Sequence, residues 1–208
     1  MGLEREIKLA LPADRTDAAT QWFVTRTGQA GHAVPLANRY FDTPGLALAR
    51  SKSALRLRHT PEGWLQTFKT AGTSRAGLHS RHEWEMPIAG PALDIDALLR
   101  ACDDEPSAAA LRQAASELVE LFRTDFTRTI WNIEHADAAI EAAIDLGEVV
   151  AQVNGETRRA PLCEIELELK RGDESALHTL AADLRAHVPG IAPDDISKAQ
   201  RGYQLRER

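Results

Sequence analysis

The strongest constraint on the fold is an alternation that begins at the N-terminus and returns along the chain. In LEREIKLAL, Glu4, Glu6 and Lys8 take every second position, while Leu3, Ile7, Leu9 and Leu11 take the other parity. A strand with this pattern has one apolar face and one face carrying two carboxylates and an ammonium. Glu4 and Lys8 are also four apart, the spacing of a helical ion pair, and ELELK shares the ambiguity. Recurrence of the alternation beside turn signals favours strands.

The same reading applies to PLANRYFDTPG, to ALRLRH and WLQTFK around the turn TPEG, and to LHSRHEWEMPI. It continues in LFRTDFTRTIWNI, AAIEAAIDLGEVVAQV and APLCEIELELK, with turns at EHAD and NGET. Helical patterns fill the rest. One covers LPADRTDAATQWFVTRTG, with Asp14 or Thr16 as expected cap and Gly28 closing it. Two short helices lie between Ala92 and Leu118, the second expected to be capped by Ser107. ESALHTLAADLRAHV and SKAQRGYQLRER complete the set. This predicts one α+β domain over residues 1–208, with about eight antiparallel strands and peripheral helices.

Composition narrows the function. At 208 residues the chain can bury a sizeable core, and 43% hydrophobic with 27% charged residues is ordinary for a globular protein. A net charge of −6 disfavours sequence-independent nucleic-acid binding. No apolar run is long enough to span a bilayer and no signal-peptide pattern is present, so a cytoplasmic location without membrane attachment is the default expectation. Cys102 and Cys163 are too few for a disulfide framework, and the scattered histidines lack zinc spacing.

The polar faces of the strand candidates carry the chemistry. They present Glu4, Glu6 and Lys8; Arg56 and Arg58; Thr67 and Lys69; Arg81, Glu83 and Glu85; Glu141 and Asp145; and Glu164, Glu166, Glu168 and Lys170. Arg123 and Arg128 have opposite parity, so one of them faces inward unless a bulge intervenes. A solvated sheet face mixes both signs. Here the strands around Arg56 to Lys69 are basic, and the first and last two are mostly acidic. Were they closed into a barrel, such strands would line a channel with cations on one side and carboxylates on the other. Clustered carboxylates suit a hard divalent cation, and arginine and lysine suit phosphate oxygens. No Walker loop or G-x-G-x-x-G is present, so side-chain cations must hold any phosphate.

EREIK, NRYFDTP, ALRLR, TFKTAG, RHEWE, EAAIDLGEV, EIELELK and SKAQRGY follow one another in an order that resembles the CYTH family, the triphosphate tunnel metalloenzymes. The resemblance covers nearly the whole chain. It implies an eight-stranded antiparallel β-barrel forming a tunnel that binds a triphosphate with Mg²⁺ or Mn²⁺, as two ions. On that resemblance Glu4, Glu6, Glu164, Glu166 and Glu168 are metal-facing, with Glu83, Glu85, Glu141 and Asp145 as further tunnel acids. Lys8, Arg56, Arg58, Lys69 and Arg81 form the phosphate-binding set, joined by Arg123 or Arg128 and by Lys198 and Arg201 of the C-terminal S-K-x-x-R-G segment. Tyr40 and Asp42 read as structural, Asp42 organising the turn before Pro44.

The implied reaction is hydrolysis of a triphosphate, foremost inorganic tripolyphosphate. Glu6 or Glu168 holds and activates the attacking water, and Lys8 assists proton transfer if burial or cationic neighbours lower its pKa. A class IV adenylate cyclase is the alternative, using the same tunnel but requiring an adenine pocket. A thiamine triphosphatase would differ only at the tunnel mouth, and a non-catalytic polyphosphate binder would need a gap in the metal set.

Overall fold

A computed structural model describes residues 2–70 and 72–207; Met1, Ala71 and Arg208, and the side chain of Leu3, lie outside the described set. The alternating segments are strands: β1 (Gly2–Ala10), β2 (His32–Asp42), β3 (Ala54–Thr60), β4 (Gly63–Lys69), β5 (Thr73–Arg75), β6 (Leu78–Ile88), β7 (Val119–His135), β8 (Ala138–Val153), β9 (Glu156–Arg171) and β10 (Ala192–Pro193). They hydrogen-bond in the order β10-β1-β9-β8-β7-β2-β3-β4-β6-β5, and β1 also pairs with β6. That extra pairing closes β1, β9, β8, β7, β2, β3, β4 and β6 into an eight-stranded antiparallel barrel. The short β5 and β10 extend it at β6 and β1.

Six helices surround or enter this barrel: α1 (Thr16–Thr27), α2 (Ala47–Arg50), α3 (Ile95–Ala101), α4 (Glu105–Ala114), α5 (Ser175–His187) and α6 (Lys198–Glu207). α1 and α5 cover the outer face of β1, β9, β8 and β7, where Phe23 and Leu180 join a core with Ile7, Leu9, Ile144, Ile165 and Leu167. α2, α3 and α4 cover β3, β4 and β6, with Leu48, Leu98 and Leu111 against Leu55, Phe68 and Trp84. α6 is different. It packs on Phe122, Val149 and Ala151, residues that share a sheet face with Tyr40, so it occupies one end of the barrel interior.

The helix boundaries follow physical chemistry the sequence reading resolved only in part. α1 ends at Gly28, which takes φ 70° and donates its N–H to Val24, a conformation glycine adopts without Cβ strain. Its start is not capped by Asp14 or Thr16: the Thr16 hydroxyl donates back to Ala13 O at 3.0 Å, within a preceding 3₁₀ turn at Ala13–Arg15. α4 is capped by Asp104, whose carboxylate accepts from Ser107 N at 3.0 Å; Ser107 is the recipient rather than the cap. α2 was not anticipated, because four residues are too few to show a period.

β1 is buried on both faces. Ile7 and Leu9 are sealed in the outer core, and Glu6 and Lys8 are only 3% and 1% exposed on the inner side. The alternation therefore separates a hydrocarbon layer from an ionic one. Phe68 is fully buried in the outer layer beside Trp84. Phe68→Ala is expected to cost about 3–5 kcal/mol of unfolding free energy by denaturant titration, the usual penalty for an emptied aromatic site.

Candidate functional site: an ion-lined tunnel

Strand register builds the site. β1, β9 and β8 place Glu6 opposite Glu168 and Glu168 opposite Glu141, so three carboxylates lie side by side on one inner row. The next row sets Lys8 opposite Glu166, and a further row aligns Glu164, Asp145 and Arg128. On the other wall, Glu4 lies opposite Arg81, Lys69 opposite Glu83, and Arg56 beside Thr67 and Glu85. All of these side chains except Thr67, Asp145 and Glu164 line a cavity of ≈ 770 Å³, within the range of small-molecule sites; Asp145 and Glu164 are fully buried behind its wall.

The walls are not cleanly sorted by sign. β6 inserts Glu83 and Glu85 among the basic residues, while Arg128 and Lys198 enter the acidic half. The reason is electrostatic: carboxylates this close in a low-dielectric interior must each find a cation.

One network lies at the α6 end. The Lys198 ammonium sits 2.6 Å from Asp145, 2.5 Å from Glu164 and 2.7 Å from Glu166, donating hydrogen bonds to Glu164 and Glu166 and pairing ionically with Asp145. Lys8 Nζ lies 3.3 Å from both Glu164 and Glu166. Arg128 binds Asp145 through Nε at 2.8 Å and Nη2 at 2.7 Å, and also pairs with Glu166. Burial disfavours the charged form of Glu166, but Lys198, Arg128 and Lys8 outweigh it and hold this carboxyl well below the usual range. Burial works against the Lys8 ammonium too, yet Glu164 and Glu166 raise its pKa. The condition set for Lys8 as a proton carrier, a lowered pKa, is therefore not met.

Asp145, Glu164 and Glu166 together have the spacing of a metal site, their carboxylate oxygens lying within 4.8 Å of one another. An ammonium occupies it here. The row of Glu6, Glu168 and Glu141 has fewer cations: Arg81 reaches Glu6 at 2.7 Å, and the half-exposed Lys170 reaches Glu168 at 2.8 Å. Burial raises the pKa of Glu6, helped by the neighbouring Glu166 charge, and burial likewise raises that of Glu168. Two adjacent carboxyls held above their ordinary pKa mark a demand for positive charge. Oxygen donors of this kind fit a hard divalent cation, with Glu4 completing the set from β1.

The basic wall shows the opposite demand. Glu4 accepts from Lys69 at 3.1 Å and from Arg81 at 2.9 Å; Lys69 also pairs with Glu83 at 2.7 Å and Arg56 with Glu85 at 3.1 Å. Arg58 has no carboxylate partner among the described residues; its Nε donates to Asn38 Oδ1 at 2.8 Å. Burial lowers its pKa to about 10, with repulsion from Arg56 and Arg128 adding to the effect. Arg56 Nε is buried without any acceptor. A buried guanidinium in surplus is what a bound anion would relieve.

Most of the residues expected from sequence meet in this tunnel. Arg123 does not. It is half-exposed on the outer face, bound to Asp125 at 2.7 Å, and Arg128 is the member of that pair turned inward. Arg201 is displaced from the cavity wall: it pairs with Asp194 and approaches Glu164 at 3.5 Å. Tyr40, read as structural, lines the tunnel. Burial raises its phenol pKa, but Arg56, Lys198 and Arg58 reverse the shift and lower it. The signal was present in NRYFD, where Asn38, Tyr40 and Asp42 share one parity. Asp42 is confirmed as an organiser, accepting from Thr43 N and Leu48 N at 2.7 and 2.8 Å.

A closed antiparallel barrel whose staves, β2 excepted, turn acids or bases inward defines a tunnel protein of the CYTH type, and the chain belongs to that family: the CYTH domain model matches residues 2–203. Among its relatives, an inorganic triphosphatase of Haemophilus influenzae is 34% identical over 97% of the chain. The chain spans about half the length of that curated relative, 54%. Two solved structures share the fold. One is from Hippeastrum, described as an adenylyl cyclase that reveals a dominant triphosphatase activity, with TM-score 0.63 and 20% identity, covering 97% of this chain and 95% of that one. The other is assigned as an adenylate cyclase of Bacillus halodurans, with TM-score 0.59 and 20% identity, covering 97% and 98%. Among the described residues, no helix is long and apolar enough to cross a membrane.

The ionic layer makes stability pH-dependent. Asp145 and Glu166 have folded pKa values below their ordinary ones, so their contribution is full above the unfolded carboxyl range and is lost as pH falls through the folded values. Unfolding free energy is expected to fall progressively below about pH 4. Denaturant titrations at stepped pH check this, and a profile flat down to pH 2 contradicts it.

Proposed function

We propose that this protein hydrolyses a triphosphate in its tunnel, foremost inorganic tripolyphosphate to diphosphate and phosphate. The observation that supports it most directly is a pair of unmet demands inside one cavity: a surplus guanidinium at Arg58 and a surplus of carboxylate at Glu6, Glu168 and Glu141. A polyphosphate with divalent cations answers both. In this reading Arg56, Arg58, Lys69 and Arg81 bind the phosphate oxygens, arginine gripping two at once. Glu4, Glu6 and Glu168 hold Mg²⁺ or Mn²⁺, as two ions. The metal supplies charge neutralisation on the phosphates and an acidic site for water.

The protein's own groups then do the positioning. The barrel fixes the chain of phosphates in line, and the carboxylate row of Glu6, Glu168 and Glu141 holds the attacking water, whose proton passes to a carboxylate of that row. The water oxygen bonds to the terminal phosphorus as the bridging P–O bond breaks. Lys8 and Lys198 hold the acids of the α6 end in place. The cyclase reading is less favoured. The lining is dominated by charged side chains, which suit phosphate rather than a base, and its two tyrosines, Tyr40 and Tyr203, are both held against Phe122, at 4.8 and 5.1 Å between centroids. We place this activity in the cytoplasm, with a triphosphate-containing small molecule as its partner.

With Mg²⁺ or Mn²⁺, phosphate release from tripolyphosphate is expected to exceed release from ATP, with no cyclic AMP formed. Cyclic AMP with negligible tripolyphosphate cleavage reverses the assignment. Glu6→Gln is expected to lower kcat by about 100-fold or more while the fold persists by circular dichroism. Arg58→Ala is expected to raise KM by about 10- to 100-fold with a smaller change in kcat, the weight of hydrogen bonds to a charged group. A fall in kcat at constant KM would remove Arg58 from the binding set.

A further inference from the structure

One carboxylate outside the charged rows joins two parts of the wall. Asp42, at the end of β2, is fully buried and has no cationic partner among the described residues. Its Oδ1 accepts from Thr43 N at 2.7 Å and Leu48 N at 2.8 Å, and its Oδ2 accepts from Ala49 N at 2.9 Å and from the Tyr203 hydroxyl at 3.0 Å. Three of these bonds fasten the turn into α2, whose Ala49 lines the cavity. The fourth reaches α6.

α6 is seated closely. Lys198, Gly202 and Leu205 are its buried residues, spaced four and three apart on one helical face. A Cβ at Gly202 would fall 2.1 Å from the Phe122 ring, so only glycine lets the helix backbone rest there. Phe122 in turn stacks on Tyr40 with an interplanar angle of 18°. Tyr203 packs its ring edge-on against Phe122 and points its hydroxyl at Asp42. At about 1.5 Å of rise per residue, a rigid helix passes any slip at Tyr203 straight to Lys198 about 7.5 Å away. The far end of α6 has its own anchors: Arg206 donates to Leu121 O at 3.0 Å, and Arg158 donates to Arg206 O at 2.7 Å. At the Lys198 end, Arg201 also holds Asp194.

We infer that Asp42, through the Tyr203 hydroxyl, and Gly202, through its contact with Phe122, are positioning residues that hold α6 at the depth where the Lys198 ammonium meets Asp145, Glu164 and Glu166. Burial and the Asp42 carboxylate raise the Tyr203 pKa, which keeps its hydroxyl a donor. The link also ties the α2 turn on the cavity wall to the helix in the barrel. Its consequence for catalysis rests on the triphosphatase reading; its consequence for Lys198 does not.

Two readouts separate these. Lys198 is 6% exposed and ion-paired with three carboxylates, so it resists acylation, whereas Lys52 is exposed and serves as internal reference. Pulse acetylation with N-hydroxysuccinimidyl acetate, read by mass spectrometry, is expected to show Lys198 labelling about tenfold faster, relative to Lys52, in Tyr203→Phe than in the wild type. The same variant is expected to lose about tenfold in tripolyphosphate kcat/KM. Gly202→Ala, which displaces the helix by crowding rather than by a lost bond, is expected to raise Lys198 labelling in the same way. A Lys198 to Lys52 ratio unchanged in Tyr203→Phe overturns the inference, and so does equal acceleration at Lys8, Lys69 and Lys170, which reports general loosening. If the wild type cleaves no tripolyphosphate, the functional reading fails while the labelling still decides this one.

Discussion

Everything in this structure depends on mutual neutralisation of ionised side chains inside a barrel that excludes most water. A carboxylate or ammonium removed from water loses solvation worth several kcal/mol, and only close partners of opposite sign restore it. The register of β1, β9 and β8 brings acids together, and α6, β7 and β6 deliver the cations that make their proximity tolerable. A hydrocarbon interior of the same volume would give equal or greater stability. The ionic lining is therefore a cost carried for binding, and the outer apolar layers around Leu167 and Phe68 supply the stability that permits it.

The lining is also uneven, and the unevenness carries meaning. At the α6 end every acid is matched, with Lys198, Lys8 and Arg128 set among Asp145, Glu164 and Glu166. Along Glu6, Glu168 and Glu141, and at Arg58, the matching is incomplete. A uniform interior would have no preferred place for a ligand. On the proposed reading the imbalance marks the cation and anion sites before either ligand arrives, so little reorganisation is needed on binding.

Much of this was legible in the sequence because period-two alternation assigns each side chain to a face without knowledge of the fold. Glu4, Glu6 and Lys8 declared their side at once, and EIELELK did the same for β9. Closure was not legible from periodicity; it came with the family resemblance. What alternation could not give is neighbour identity. The sorted walls expected from sequence dissolve because β6 pairs with both β4 and β1, which sets Glu83 beside Lys69 and Arg81 beside Glu4. Arg201 looked like Lys198 on paper, yet three residues further along α6 its side chain turns toward Asp194. Gly202 and Tyr203 fell within the SKAQRGY segment but had no role assigned to them, because their contacts are to Phe122 and Asp42, 80 residues or more away in the chain.

The double pairing of β1 has a consequence for biosynthesis. β1 is made before any of its partners: one edge closes on β6 and, at Leu9 and Ala10, on β10, and the other closes on β9, which ends at Arg171. Until that distant partner leaves the ribosome, the nascent N-terminal strand keeps an open hydrogen-bonding edge, and Lys8 waits for Glu164 and Glu166. Closure of the barrel thus waits for β9, and until then the open edge of β1 is the part of the chain most exposed to mispairing.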